Sequence, residues 1–108
     1  MFFGRWRRRI DGKRRIVVPE RFRGEFNGEV LLMVNKSNEQ EKESLLAYSL
    51  KGTEKLPPEK MKFLFSAKPD GQGRIVLPKA VCDTLFKGCS EVIWEGWKDH
   101  FKILPCSS

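Results

Sequence analysis

The sequence predicts a mostly β fold with short helices, made of two internal repeats that share one core. Three observations carry this. A nine-residue motif occurs twice: Asp11-Gly12-Lys13-Arg14-Arg15-Ile16-Val17-Val18-Pro19 aligns with Asp70-Gly71-Gln72-Gly73-Arg74-Ile75-Val76-Leu77-Pro78 at an offset of 59, with six of the nine positions identical. The apolar runs are short, rich in β-branched residues, and bounded by Gly, Pro and Asp, as strands between tight turns are. The chain has 108 residues, 40% hydrophobic and 11% aromatic, which is enough for one domain and too little for two. A single domain over 1–108 is therefore expected, with repeat one at about 1–52 and repeat two at about 60–105. A unit of half this size buries too little surface to stand alone. The two should share a core, as a pseudo-two-fold β barrel or sandwich with interleaved hairpins.

Each element has a local cause. Asp-Gly at Asp11-Gly12 and Asp70-Gly71 marks a tight turn, because Gly accepts positive φ. The residues before the turn form one strand, Phe3 to Ile10 in the first repeat, and the β-branched run after it forms the returning strand. Pro19 and Pro78 end that strand and suit the first turn of a helix, where no amide donor is needed. Phe22 and Phe26 lie one helical turn apart, and Val81, Cys82 and Leu85 are their counterparts. Gly28 and Gly88 stop these helices. A second hairpin then closes each unit, through Val30–Val34 with Leu45–Leu50, and Val92–Trp94 with Phe101–Leu104. The polar stretch Asn35–Ser44 is the first hairpin's loop, and Leu56-Pro57-Pro58-Glu59 opens the connection between units.

Charge is the most informative bulk property. The net charge is +7, and residues 1–23 hold all of it: nine Lys and Arg against Asp11 and Glu20. The rest of the chain carries twelve side chains of each sign. A patch this concentrated points to a polyanionic partner. The three cysteines, Cys82, Cys89 and Cys106, form neither a disulfide framework nor a Cys-x-x-Cys metal pattern, and His100 is the only histidine. They read as plain thiols in a reduced cytoplasm. No apolar run is long enough to span a bilayer, and the basic stretch follows Phe2-Phe3 rather than preceding an apolar segment, the reverse of a secretory signal. No metal, cofactor, membrane or small-molecule substrate is expected.

The repeated motif resembles the SpoVT–AbrB family, and most closely its MraZ-like branch, which has two tandem Asp-x-x-x-Arg units. Here these are Asp11…Arg15 and Asp70…Arg74. Met1-Phe2-x-Gly4, Pro19-x-x-Phe22-Arg23 and Phe63-Leu64-Phe65 ahead of Gln72-Gly73-Arg74 extend the resemblance over nearly the whole chain. It implies a swapped-hairpin AbrB-like β barrel and duplex-DNA binding. It also implies transcriptional regulation in the cytoplasm and nucleoid, by homo-oligomers that are ring-shaped in that branch and act on the promoter of the division and cell-wall genes.

Side chains alternate along a strand. Arg5, Arg7 and Arg9 should share one face, with Trp6, Arg8 and Ile10 on the other. The second repeat has Leu64, Ser66 and Lys68 in place of the three arginines. The first hairpin is expected to be a basic β-ribbon on duplex DNA, extended at its turn by Lys13, Arg14 and Arg15, with Arg74 the counterpart in the second unit. A strand edge shielded by charge needs only one or two cations, not nine. Asp11 and Asp70 are expected to hold the turns, and Arg15 and Arg74 either to brace them or to touch phosphate. Glu20, Arg21 and Arg23 should face solvent, while Trp94, Trp97 and Phe101 should pack in the core or between subunits. Phe2 and Phe3 would be exposed in a monomer, open to packing on a neighbouring subunit. Catalysis is not expected: His100 has no Ser or Cys partner by motif, and Gly71-x-Gly73 lies in a turn rather than between strand and helix. The alternatives to a regulator are an antitoxin-like protein and a structural protein-interaction module of the same fold.

Overall fold

The computed structural model describes residues 3–26, 28–35 and 43–106. Met1, Phe2, most of the polar loop expected between Asn35 and Ser44, and Ser107-Ser108 lie outside them. In chain order the strands are β1 (Arg5–Arg9), β2 (Arg15–Val17), β3 (Val30–Asn35), β4 (Ser44–Tyr48), β5 (Phe65–Ala67), β6 (Arg74–Val76), β7 (Glu91–Trp97) and β8 (His100–Cys106). Two 3-10 turns, Glu20–Phe26 and Lys51–Lys55, and two short helices, α1 (Pro58–Met61) and α2 (Lys79–Thr84), connect them. The fold is a small, mostly β domain, and every strand pair is antiparallel.

The order of elements follows the repeat, but the pairing crosses it. Six strands form one sheet in the order β1-β7-β8-β4-β3-β5, and β2 and β6 form a separate ribbon. β1 of the first unit pairs with β7 of the second, from Arg5↔Glu95 to Arg9↔Glu91. Reciprocally, β5 of the second unit pairs with β3 of the first. β2 meets β6 with Ile16 opposite Ile75, so Arg15↔Val76 and Val17↔Arg74 are mirror registers about that pair. The closing hairpins β3–β4 and β7–β8 form within their units, and β4 and β8 join the halves. Among the described residues no ladder joins β1 to β5, and these are the two edges of the sheet. The legs on either side of each Asp turn therefore lie in different sheets rather than forming one paired ribbon.

Burial explains the strand sequences. β1 alternates exposed Arg5, Arg7 and Arg9 with half-buried Trp6 and Arg8. β4 is buried at every position because it has cover on both faces. One face joins the main core with Phe22, Phe26, Trp94, Phe101 and Ile103. The other packs Leu46 and Tyr48 on Met33, under Leu56 of the inter-unit connection and Leu64 just ahead of β5. Aromatic edges organise the main core: Trp6 on Phe22 at 5.1 Å between centroids, Phe22 on Phe101 at 5.2 Å and Trp94 on Phe101 at 5.4 Å. Each such pair adds about 0.5–1.5 kcal/mol beyond its buried area. The cost is an orphan donor: the buried Trp94 Nε1 has no hydrogen-bond partner among the described residues.

The two units also lock together at their turns. Val18 N–H donates to Gly73 O and Leu77 N–H to Arg14 O, both at 2.8 Å. Val18 and Leu77 are equivalent in the repeat, and each of their carbonyls accepts from an arginine. Arg14 Nε donates to Leu77 O at 3.2 Å, and Arg23 Nε donates to Val18 O at 3.3 Å. The guanidinium thus comes from the turn in one half and from the 3-10 segment in the other. Arg23, expected in solvent, is half-buried for this reason. The exchange explains Gly73. Its φ is +76°, and a Cβ there would collide with the Arg23 guanidinium. At the matching position Arg14 holds φ 60°, which costs a side-chain-bearing residue about 1–2 kcal/mol. Gly73→Ala should lower stability by about 1–3 kcal/mol, and by clearly less in an Arg23→Ala background. Chemical denaturation of the four-protein cycle measures this; additive losses would mean that Arg23 does not restrict position 73.

Candidate nucleic-acid interface

The expected arginine face exists. β1 is an edge strand, and Arg5, Arg7 and Arg9 are exposed on the side away from Trp6 and Ile10, which pack on the core. Their cross-strand neighbours on β7 are Glu95, Ile93 and Glu91. Arg5 Nε lies 3.2 Å from Glu95 Oε2. The same carboxylate accepts the Trp97 indole N–H at 2.7 Å through Oε1, and Lys102 Nζ stands 4.0 Å from the Trp97 ring centroid. Trp97 is 46% exposed, unlike Trp94 and Phe101, which are fully buried. The acidic column was legible in Glu91-x-Ile93-x-Glu95, whose period matches that of the arginines, but only the register puts the two columns side by side.

The turns are built by their aspartates. Asp11 Oδ1 accepts the backbone N–H of Lys13 at 2.9 Å and of Arg15 at 2.8 Å, and its Oδ2 accepts Arg15 Nε at 2.6 Å. Asp70 repeats the pattern with Gln72 N–H and Arg74 N–H at 2.9 Å and Arg74 Nε at 2.8 Å. Backbone amide donation from Arg15 and Arg74 is the foremost cause that holds the two carboxyls below the ordinary value of 3.8. Arg15 and Arg74 therefore brace the turns, one of the two roles expected of them. They also flank the Ile16–Ile75 pair on the outer face of the β2–β6 ribbon, with Val17 and the exposed Val76. Diagonal neighbours in such a ladder lie about 7–8 Å apart. Lys13 and Arg14 are exposed at the first turn, where the second has Gln72 and Gly73, the latter buried under Arg23.

The remaining candidates have structural explanations. Pro19 is buried and Pro78 half-buried, and each carbonyl starts the following helical turn by accepting from Phe22 N–H or Val81 N–H. Gly28 and Gly88 carry positive φ behind those turns. His100 Nδ1 lies 2.8 Å from Asp99 Oδ1, and the ring stacks on Tyr48 at 4.9 Å. That hydrogen bond is the main cause lowering the Asp99 carboxyl, while burial raises the Tyr48 phenol. Cys82, Cys89 and Cys106 are free thiols, and burial pushes Cys82 up. Among the described residues no group of three His, Cys, Asp or Glu side chains could hold a metal, and no helix is long and apolar enough to cross a membrane. Glu20 and Arg21 are exposed as expected, and so is Phe3.

The depressed aspartates set an acid limit. A carboxyl lowered on folding stabilises the native state above its unfolded value of 3.8, and this contribution disappears as pH falls through the lower native value. The denaturation midpoint should drop below about pH 4. Asp11→Asn/Asp70→Asn should start less stable and lose less over the same range. An unchanged acid slope in the double variant would show that these turns do not set it.

No family model matches the chain, and no curated protein matches it. Among solved structures, the solution structure of PHS018 from Pyrococcus horikoshii is similar at 18% identity and a TM-score of 0.47, with 99% of each chain covered.

Proposed function

We propose that the protein is a DNA-binding transcriptional regulator of the MraZ-like SpoVT–AbrB type, acting as a homo-oligomer in the cytoplasm and on the nucleoid. The observation that carries this reading is the exposed arginine column of β1, on a sheet edge, within residues 1–23, whose net charge equals that of the whole chain. A duplex groove accepts a β-strand surface of this kind, and arginine bonds phosphate or guanine bidentately. Lys13 and Arg14 extend the cationic surface at the turn. The reciprocal pairing of β1 with β7 and β5 with β3 supports a pseudo-two-fold swapped-hairpin arrangement of one domain in two repeats. The Arg15 and Arg74 bonds to their aspartates support a bracing role, with phosphate contact secondary.

An antitoxin-like or structural protein-interaction module is the second reading. It draws on the other edge of the sheet, where a groove of about 500 Å³ is lined by Met33, Val34, Asn35, Lys60, Phe63 and Phe65, with Phe63 exposed.

Fluorescence anisotropy on duplex DNA across a salt series separates the two. A regulator should lose affinity with a slope near −0.9 per phosphate neutralised, and Arg5→Ala/Arg7→Ala/Arg9→Ala should reduce that slope by about 1–3, about one unit for each arginine that reaches phosphate. Absence of binding at low salt by a folded protein would turn the search to protein partners.

A further inference from the structure

We propose that Glu91 and Glu95 are affinity-setting residues for the nucleic-acid surface: an intramolecular stand-in for phosphate that leaves Arg7 as the principal contact and holds Arg5 and Arg9 back. This rests on the DNA-binding reading. The register carries it. The β1 cations and the β7 anions run as adjacent columns on one sheet face, Arg5 beside Glu95 and Arg9 beside Glu91, while Arg7 alone faces an apolar neighbour, Ile93. Arg5 is already paired, at 3.2 Å. A phosphate that approaches Arg5 must share its guanidinium with Glu95 and meet that carboxylate at close range, and a DNA backbone along β1 runs beside both carboxylates. Among the described residues Arg7 has no carboxylate directly opposite it; Glu91 and Glu95 stand one diagonal step away, about 7–8 Å along such a ladder.

Glu95 is held for this purpose from two sides. Its other oxygen accepts the Trp97 indole N–H at 2.7 Å, and the Trp97 ring lies against Lys102, on β8 directly across from Glu95. The carboxylate is thus fixed toward β1 rather than free to swing into solvent. The arrangement lowers affinity for any duplex, because repulsion between carboxylate and phosphate does not depend on base sequence. What it spares is contact through Arg7, Lys13 and Arg14. The consequence is a protein that releases arbitrary DNA readily despite nine cations in its first 23 residues.

The test uses Glu91→Gln/Glu95→Gln, in which the glutamine oxygen keeps the Trp97 acceptor. Anisotropy on a duplex of arbitrary sequence should show about three- to tenfold tighter binding than wild type at low salt, converging as salt screens the surface. Arg5→Ala/Arg9→Ala should cancel the gain, and in the wild-type background Arg7→Ala should cost more than either Arg5→Ala or Arg9→Ala. Glu59→Gln, on α1 at the opposite edge of the sheet, should change nothing. Wild type that binds with affinity unchanged by Glu91→Gln/Glu95→Gln would overturn the proposal and leave DNA binding standing. A gain from Glu59→Gln that is as large per charge removed would reduce the effect to net charge and also overturn it. If neither wild type nor the double variant binds at any salt, both readings fail.

Discussion

Ile16 and Ile75 face each other across the β2–β6 ladder, both fully buried, and the rest of the chain is arranged about that pair. Burying an isoleucine stabilises by about 1.5–3 kcal/mol, but here the constraint matters more than the energy. Only with these two residues in register can Val18 N–H reach Gly73 O and Leu77 N–H reach Arg14 O. A slip by one residue would turn Arg15 or Arg74 into the core and tear it from its own aspartate. The carboxylates of Asp11 and Asp70 enforce the register from outside, because each ties three donors between its turn and the first residue of the following strand.

Much of this was readable from the repeat. The two motifs named the turn aspartates, the arginines that brace them and the prolines that start the helical turns, and the residues that follow them gave the glycines behind those turns, because all of these are local backbone requirements. Alternation in Arg5–Arg9 correctly separated the exposed face from the one that packs. What the sequence did not show was which copy each strand would join. Strand exchange changes no local preference: β1 is as good a partner for its own unit's β3 as for β7, and only the packed core decides. Three features depend on that choice and were hidden with it. Arg23 is drawn in to cap Val18 O, Arg14 reaches Leu77 O, and Glu91 and Glu95 are set beside the arginines.

The two units share a skeleton and differ in what they present. At the turns, one offers Lys13 and Arg14 where the other offers Gln72 and Gly73. On the edge strands, Arg7 corresponds to Ser66, and Arg9 to Lys68 just past the end of β5. The structure tolerates this because the pseudo-symmetric contacts are made by backbone groups, aspartates and apolar side chains, while the divergent positions are solvent-facing or, for Arg14 and Arg23, exchange the source of one guanidinium. Symmetry therefore governs how the chain folds, and the chemistry of its surface is free of it. A cationic face on one half beside an apolar groove on the other is the result.

The crossing of the halves also governs how the protein comes into being. On the ribosome, Arg5 emerges early but its ladder partner, Glu95, is among the last parts of the domain to appear. Until then β1 has a free edge on both sides, and the first unit must wait with Trp6 and Phe22 poorly covered. Pairings this distant in sequence pay their loop-closure entropy before any contact is gained, which makes folding slow and leaves sticky intermediates. The arginines of β1 then have a service to perform before any ligand is met. Like charges at every second position discourage β1 from joining the same strand of another nascent chain, so the edge stays single until its own β7 arrives.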